Sequence, residues 1–355
     1  MIATFAKRAA VLAAAVSAAA AMLASTAAAQ VNLSAETSSA GNMPHLSMIH
    51  LAEVAGEQDI ANLQVAEGQT LTNSVLNVAE GRTDIASAPL ILTFLLDKGR
   101  GPYSKQGEDG AALAANLRAL YPYNAGAFGL FALESANIRA WEDLKGRTIF
   151  NGPPRGAALV NARQVIQLAT GMKDGEGYTG VQANWGQLAT ILVDGSVEGF
   201  VIPLTFPSPR VTVAASAGAV NIVSTPKAVF EGEGFQRLMK APGNVPIVVA
   251  EADMGYADGA GVTLISEDAT FRGMGTAFAD IVHQDMSDDL AKALTAAHIA
   301  TLERLKARAP YARNAGLAEM TADGSGFCGP MRLKYHPGAI AAWEEAGYAV
   351  PDCAR

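Results

Sequence analysis

Pro153-Pro154-Arg155-Gly156-Ala157 stands between an apolar run ending at Phe150 and a helical pattern in which Ala158, Ala162, Val165, Ile166 and Ala169 share one side. A helix that starts near Ala157 and ends at Gly171 leaves its first backbone N–H groups unpaired, and those groups with the helix dipole favour an anion. Gly156, Ala157 and Ala158 are small enough to let a ligand approach, and Arg155 adds a planar fork of donors suited to a carboxylate. The plainer reading is a tight turn, with Arg155 solvated or paired to an acidic neighbour.

Three more stretches set polar or small residues between a strand pattern and a helix pattern. Thr37 to His45, TSSAGNMPH, follows the first strand and offers Ser39, Asn42 and His45. Glu67 to Asn73, EGQTLTN, offers Thr70, Thr72 and Asn73, and Pro203 to Pro209, PLTFPSP, offers Thr205, Phe206 as an apolar wall, and Pro207. Helix capping alone accounts for Thr and Asn at such places. Their recurrence favours a ligand, because in parallel α/β sheets ligands bind outside the carboxyl ends of the strands.

The chain has no G-x-S-x-G elbow, no H-E-x-x-H pair and no G-x-x-x-x-G-K-[ST] phosphate loop. His45, His50, His283, His298 and His336 have no metal-ligand spacing, and Asp253 and Asp258 lack the ordered acids of a calcium loop. His298 falls on a helix with Leu294, Leu302 and Leu305, where packing is its expected role. No cofactor, metal or catalytic residue is assigned.

The elements that position these loops alternate β-branched or apolar runs with amphipathic helices, the pattern of an α/β protein with largely parallel sheets. One cadence occurs twice: a helix ends at Glu80-Gly81 before a strand from Asp84 to Ala88, and another ends at Asp194-Gly195 before a strand from Glu198 to Leu204. Ala127 to Leu133 is a candidate crossing from one half to the other, and Gly261 to Ile265 a candidate return. Ser287 is expected to cap a helix that stops at Pro310, and Pro337 to begin a last one.

Residues 1–29 read as a cleaved secretory signal: Lys7 and Arg8, an apolar stretch from Ala9 to Leu23, and Ala27-Ala28-Ala29 before Gln30. The apolar stretch falls short of the roughly 20 residues of a membrane span, so an exported chain without membrane insertion is expected. A net charge of −8 and the lack of a basic run argue against nucleic acid or anionic membrane as a partner. Cys328 and Cys353 are expected to form a disulfide in an exported protein, two free thiols being the alternative.

The segment from Leu117 to Ile166 (with DLKG at 143–146 and NGPP at 151–154), the run LVDGSVEGFVIPLTFPSP, and KYHPGAIAAWEEAGY near the C-terminus together resemble the TAXI family of solute receptors of TRAP transporters. The resemblance implies a type II periplasmic binding-protein fold, with two α/β lobes joined by crossing hinge strands and a ligand cleft between them. It implies a periplasmic receptor that captures a small organic acid and delivers it to the TRAP membrane subunits, with no reaction of its own. By position it places ligand contacts at Ser39 to His45, Thr70 to Asn73, Tyr123 and Asn124, Pro154 to Ala157, and Thr205 to Pro207. The chain departs from the family where tyrosines usually follow the first loop and where Arg155 replaces a small residue. These departures favour a dicarboxylate or oxo-acid over an α-amino acid such as glutamate. The expected lobes are 30–126 with 267–355, and 127–266. A periplasmic sensor partnering a membrane kinase and, less favoured, an exported enzyme on the same scaffold are the alternatives.

Overall fold

The architecture is organised by two long strands. In the computed structural model, which describes residues 30–154 and 156–355, β4 (Leu117–Leu133) and β11 (Thr270–His283) run antiparallel to one another. Residues 1–29, the expected signal segment, and Arg155 lie outside the described residues. At one end β11 pairs with β3 (Ile85–Pro89), beyond which lie β1 (Val31–Glu36) and β2 (Ala61–Ala66). At the other end β4 pairs with β7 (Gly199–Leu204), beyond which lie β5 (Thr148–Phe150) and β6 (Thr179–Val181). The outer strands β8 (Val220–Val223) and β10 (Val262–Ile265) pair with each other, β8 also with β4, and β9 (Asn244–Ala250) pairs with β11. A short β12 (Lys334–Tyr335) pairs with the start of β4.

The core changes along these two strands. Tyr121 and Tyr123 of β4 share a cluster with Leu51, Val75, Ile281 and Leu294, whereas Leu130 clusters with Ile149 and Val165, and its neighbour Phe131, on the other face of the strand, with Phe200 and Ile202. On β11 the change falls between Met274 and Ala277. One cluster thus lies at the first end and two at the second, and the strands between them serve as the connection.

Local sequence explains the elements well. The helix Ala157–Thr170 buries Ala162, Val165, Ile166 and Ala169 and ends at Gly171 with φ +75°. The helices Leu71–Ala79 and Leu188–Ile191 each lead through a left-handed glycine, Gly81 or Gly195, into a strand. Ser287 caps the helix Asp288–Ala300 by accepting from the Leu290 N–H, and Pro337 opens the helix Pro337–Glu345. Cys328 and Cys353 are disulfide-bonded with their Cα atoms 5.3 Å apart.

The expectation for Gly261 to Ile265 is corrected: this stretch is β10, an outer strand paired only with β8, and the return crossing is β11. TFRGMGTAFADIVH escapes a propensity reading because its middle is rich in glycine and alanine, which are poor strand formers. The small residues are required by its neighbours. A Cβ on Gly275 would come within 2.5 Å of Ile247 on β9, so the central strand of this sheet accepts no side chain there.

Candidate functional site

Strand register sets the carboxyl ends of the two halves opposite one another. β3 ends at Pro89, which pairs with Phe278, and Phe278 pairs with Tyr123. Four residues further along β4, Ala127 pairs with Leu204, the last residue of β7. Between these rows β4 carries a bulge, where Asn124 pairs with Ala277 and Ala127 with Gly275. Gly126 lies in the bulge at φ +102°, and a Cβ there would stand 2.4 Å from the Leu204 carbonyl oxygen. Only glycine lets the two halves meet this closely.

On the side of the first half, the loops after β1 and β2 are joined. The Gln69 N–H donates to the Thr37 carbonyl at 2.9 Å and the Gly68 N–H to the Ser38 carbonyl at 3.2 Å. His45 Nε2 lies 3.0 Å from a Glu67 carboxylate oxygen. Asn42 caps the helix Met43–Glu57 by accepting from the His45 N–H, and its amide donates to the Ser39 carbonyl. Ser39, Thr70 and Asn73 are exposed, while Asn42, His45 and Thr72 are half-buried. Thr72 also accepts from the Tyr103 hydroxyl through its carbonyl.

Beneath these loops lies a fully buried carboxylate that the sequence reading did not pick out. Asp280 of β11 accepts from the hydroxyls of Tyr121, Tyr123 and Ser87 at 2.8 Å each and of Ser47 at 3.1 Å. Ser87 in turn lies 3.3 Å from Thr37 and 3.1 Å from the Pro44 carbonyl. Burial raises the Asp280 pKa against the opposing effect of these four donors. His298 stacks on Tyr121 at 3.6 Å between ring centres, is itself buried, and has no hydrogen-bond partner among the described residues. Tyr123 therefore directs its hydroxyl into the interior of the first half. The only signal in the sequence was an acid inside an apolar run, which needed β11 to be recognised as a strand.

At the junction, Asn124 is 7% exposed and its N–H donates to the Ala315 carbonyl at 2.6 Å. The neighbouring Asn314 amide donates to the carbonyls of Phe206 and Asp253, both at 3.0 Å. Phe206 is buried edge-to-face on Phe271, so it walls the second core, while Thr205 and Pro207 are half-buried. Pro207 lines a cavity of about 540 Å³ with Val249, Asp253, Arg313 and Asn314, on a different set of residues from the loops after β1 and β2. A smaller cavity of about 250 Å³, lined by Trp141, Thr225 and Arg272, shares no residue with the predicted site.

In the second half, Gly156 precedes the helix at φ +102°, and Gly156 and Ala157 are both half-buried. Next to them Asn151, fully buried at the end of β5, donates to Asp174 and accepts from Gln182. Arg210, one residue beyond the stretch singled out after β7, bonds the Pro203 carbonyl at 2.7 Å and lies 4.5 Å over the ring of Trp185. Desolvation lowers its pKa to about 10, and no carboxylate pairs with it among the described residues. Sequence reasoning stopped at Pro209, because an arginine in the first turn of a short helix has no distinguishing pattern.

Residues 46–347 match the model of the NMT1-like family. The chain belongs to this family. No curated protein matches it. Among solved structures, a protein from Bordetella bronchiseptica RB50 is 14% identical, with a TM-score of 0.51 over 89% of this chain and 98% of that one, a likeness of fold alone. A TRAP periplasmic solute binding protein from Sulfitobacter sp. with bound β-D-galacturonate is 12% identical, with a TM-score of 0.46 over 89% of this chain and 91% of that one. Another from Ralstonia eutropha H16 with bound (S)-2-acetolactate is 14% identical, with a TM-score of 0.44 over 91% and 86%. This NMT1-like chain has a mixed α/β fold built on the long strands β4 and β11, and no helix among its described residues is long and apolar enough to cross a membrane.

Proposed function

We propose that this chain is the extracytoplasmic solute receptor of a TRAP-type transporter of the TAXI kind. A small organic acid would be captured between the lobes and passed to the membrane subunits, after export through cleavage behind residue 29. The observation that carries this reading is the register of β4 and β11, which turns the carboxyl ends of β3 and β7 toward one cleft. The division into 30–126 with 267–355, and 127–266, is supported on β4 by the change of core at Asn124–Gly126; on β11 the change lies at Gly275–Ala277.

Capture follows from the same geometry. The short bulged segment of β4 and its partner rows on β11 are the narrowest link between the two cores, so closure is a rotation about them. A carboxylate leaving water needs replacement donors, since burial without them costs several kcal/mol. The polar loops at Ser39–His45, Thr70–Asn73 and Gly156–Ala157 present such donors, and selectivity between dicarboxylates, oxo-acids and glutamate depends on which of them the second polar group reaches.

The test is a thermal-shift screen of the mature protein, unfolded and refolded to strip bound solute, against succinate, 2-oxoglutarate, L-glutamate and pyruvate. A ligand at 100 times its dissociation constant stabilises by about 2.7 kcal/mol, enough to move the melting point visibly. Small-angle scattering with the active compound should show a smaller radius of gyration. Stabilisation by none of the acids would remove the organic-acid receptor reading.

A further inference from the structure

Arg210 is a cation at the carboxyl end of the second lobe's sheet whose surroundings leave most of its bonding capacity open. A guanidinium has five N–H donors, and the Pro203 carbonyl takes one of them. Its flat face is covered by Trp185, which follows β6 and meets Phe150, the last residue of β5, edge-on at 6.3 Å. Arg210 thus reaches from the end of β7 toward the segments that leave β5 and β6, the three parallel strands whose carboxyl ends border the cleft. It is half-buried, and the protein atoms around it desolvate its charge. Two other half-buried arginines among the described residues, one before β5 and one on β11, contrast with it. Arg147 is paired with Glu198 and Arg272 with Asp268.

An arginine held flat by an aromatic ring and anchored by one N–H is oriented, and its remaining donors match the two oxygens of a carboxylate. We propose that Arg210, stacked on Trp185, receives the carboxylate of the captured solute. The inference rests on the receptor reading above and names the residue that sets the charge class of its ligand. Arg155 was the expected cation, and the two assignments are separated by experiment.

The experiment measures binding of succinate, 2-oxoglutarate, L-glutamate and pyruvate, each beside its amide, to the parent protein and to Arg210→Gln, Arg210→Lys and Arg155→Gln. Calorimetry reads affinity, and tryptophan emission reports locally, because Trp141 and Trp343 are fully buried and Trp185 is not; Trp185→Phe should abolish the emission change. Charge-assisted hydrogen bonds contribute about 1.5 to 3 kcal/mol, so Arg210→Gln should weaken the acid by about 10- to 150-fold, with Arg210→Lys between. Preference for the acid over its amide should collapse in Arg210→Gln while the protein keeps the parent's circular dichroism. If the parent binds an acid and Arg210→Gln binds it equally, or still prefers it to the amide, the Arg210 assignment fails and the receptor reading stands. Loss on Arg155→Gln with Arg210→Gln unaffected also overturns the assignment. If the parent binds no acid, both readings fall.

Discussion

Asp280 and Arg210 are charges removed from bulk water on opposite sides of the hinge, and their surroundings differ in kind. Asp280 is enclosed by four hydroxyl donors supplied by three elements, so nothing about it is left to satisfy. Arg210 has one carbonyl and one aromatic face. A buried charge that is saturated from within holds a structure together, and one left partly unmatched keeps capacity for something that arrives later.

The largest effect is expected at Asp280. Asp280→Ala would leave the hydroxyls of Tyr121, Tyr123, Ser47 and Ser87 without their shared acceptor in a fully buried site. Orphaned buried polar groups cost about 1 to 3 kcal/mol each before relaxation, so a loss of about 3 to 5 kcal/mol is expected by urea unfolding. Asp280→Asn, which keeps an acceptor oxygen, should lose less than half as much. An Asp280→Ala protein as stable as the parent would end the view that this carboxylate organises the hinge strands.

Acid should expose the histidines beside that cage. Burial lowers the His298 pKa to about 3, and burial with the nearby Arg308 and Arg304 lowers that of His50 to about 4. A histidine with a depressed folded value binds its proton in the unfolded chain first, so stability is full above about pH 6.5 and falls as pH drops toward 3 to 4. For His298 alone the loss at pH 4 is about 3 kcal/mol. Asp280 acts in the opposite direction, since its raised folded value favours the native state as pH falls through that value toward the ordinary carboxylate range. Unfolding free energies at pH 7, 5.5 and 4 should therefore decline steeply in the parent and less steeply in His298→Phe, which retains the stack on Tyr121. Equal slopes would remove His298 as the source.

The connection between the two regions can be strained separately. Gly126→Ala places a methyl against the Leu204 carbonyl at a φ unfavourable for alanine, and a loss of about 2 kcal/mol is expected. Because the position lies in the link rather than in either core, solute affinity should change along with stability. A stable variant with parental affinity would show that the bulge has room the close contact denies.

How much of this was legible follows from where the information is local. The helix from Ala157 to Gly171, the twin helix–glycine–strand units and the Ser287 cap depend on neighbours within a few residues, and short-range pattern conveys them. β11 is a strand because Ile247, Phe128 and Tyr123 lie on either side of it, and a run of Gly, Met and Ala says nothing of those partners. The Asp280 cage joins residues 47, 87, 121, 123 and 280, and Arg210 is notable for what does not surround it. Neither property is written at any one place in the chain. Tyr123 was singled out by resemblance, and the structure turns its hydroxyl to Asp280.

The smallest effect is expected at Arg210, and its sign matters more than its size. If an unmatched cation is retained for a ligand, the empty protein gains little from it and bears its desolvation. Arg210→Gln should then unfold within about 1 kcal/mol of the parent, or slightly above it, in the absence of solute. With the acid present, the parent alone should gain stability, so the difference between the two proteins should open as ligand is added. A loss of several kcal/mol without ligand would place Arg210 beside Asp280 as a structural charge, and the contrast between the two sides of the hinge would disappear.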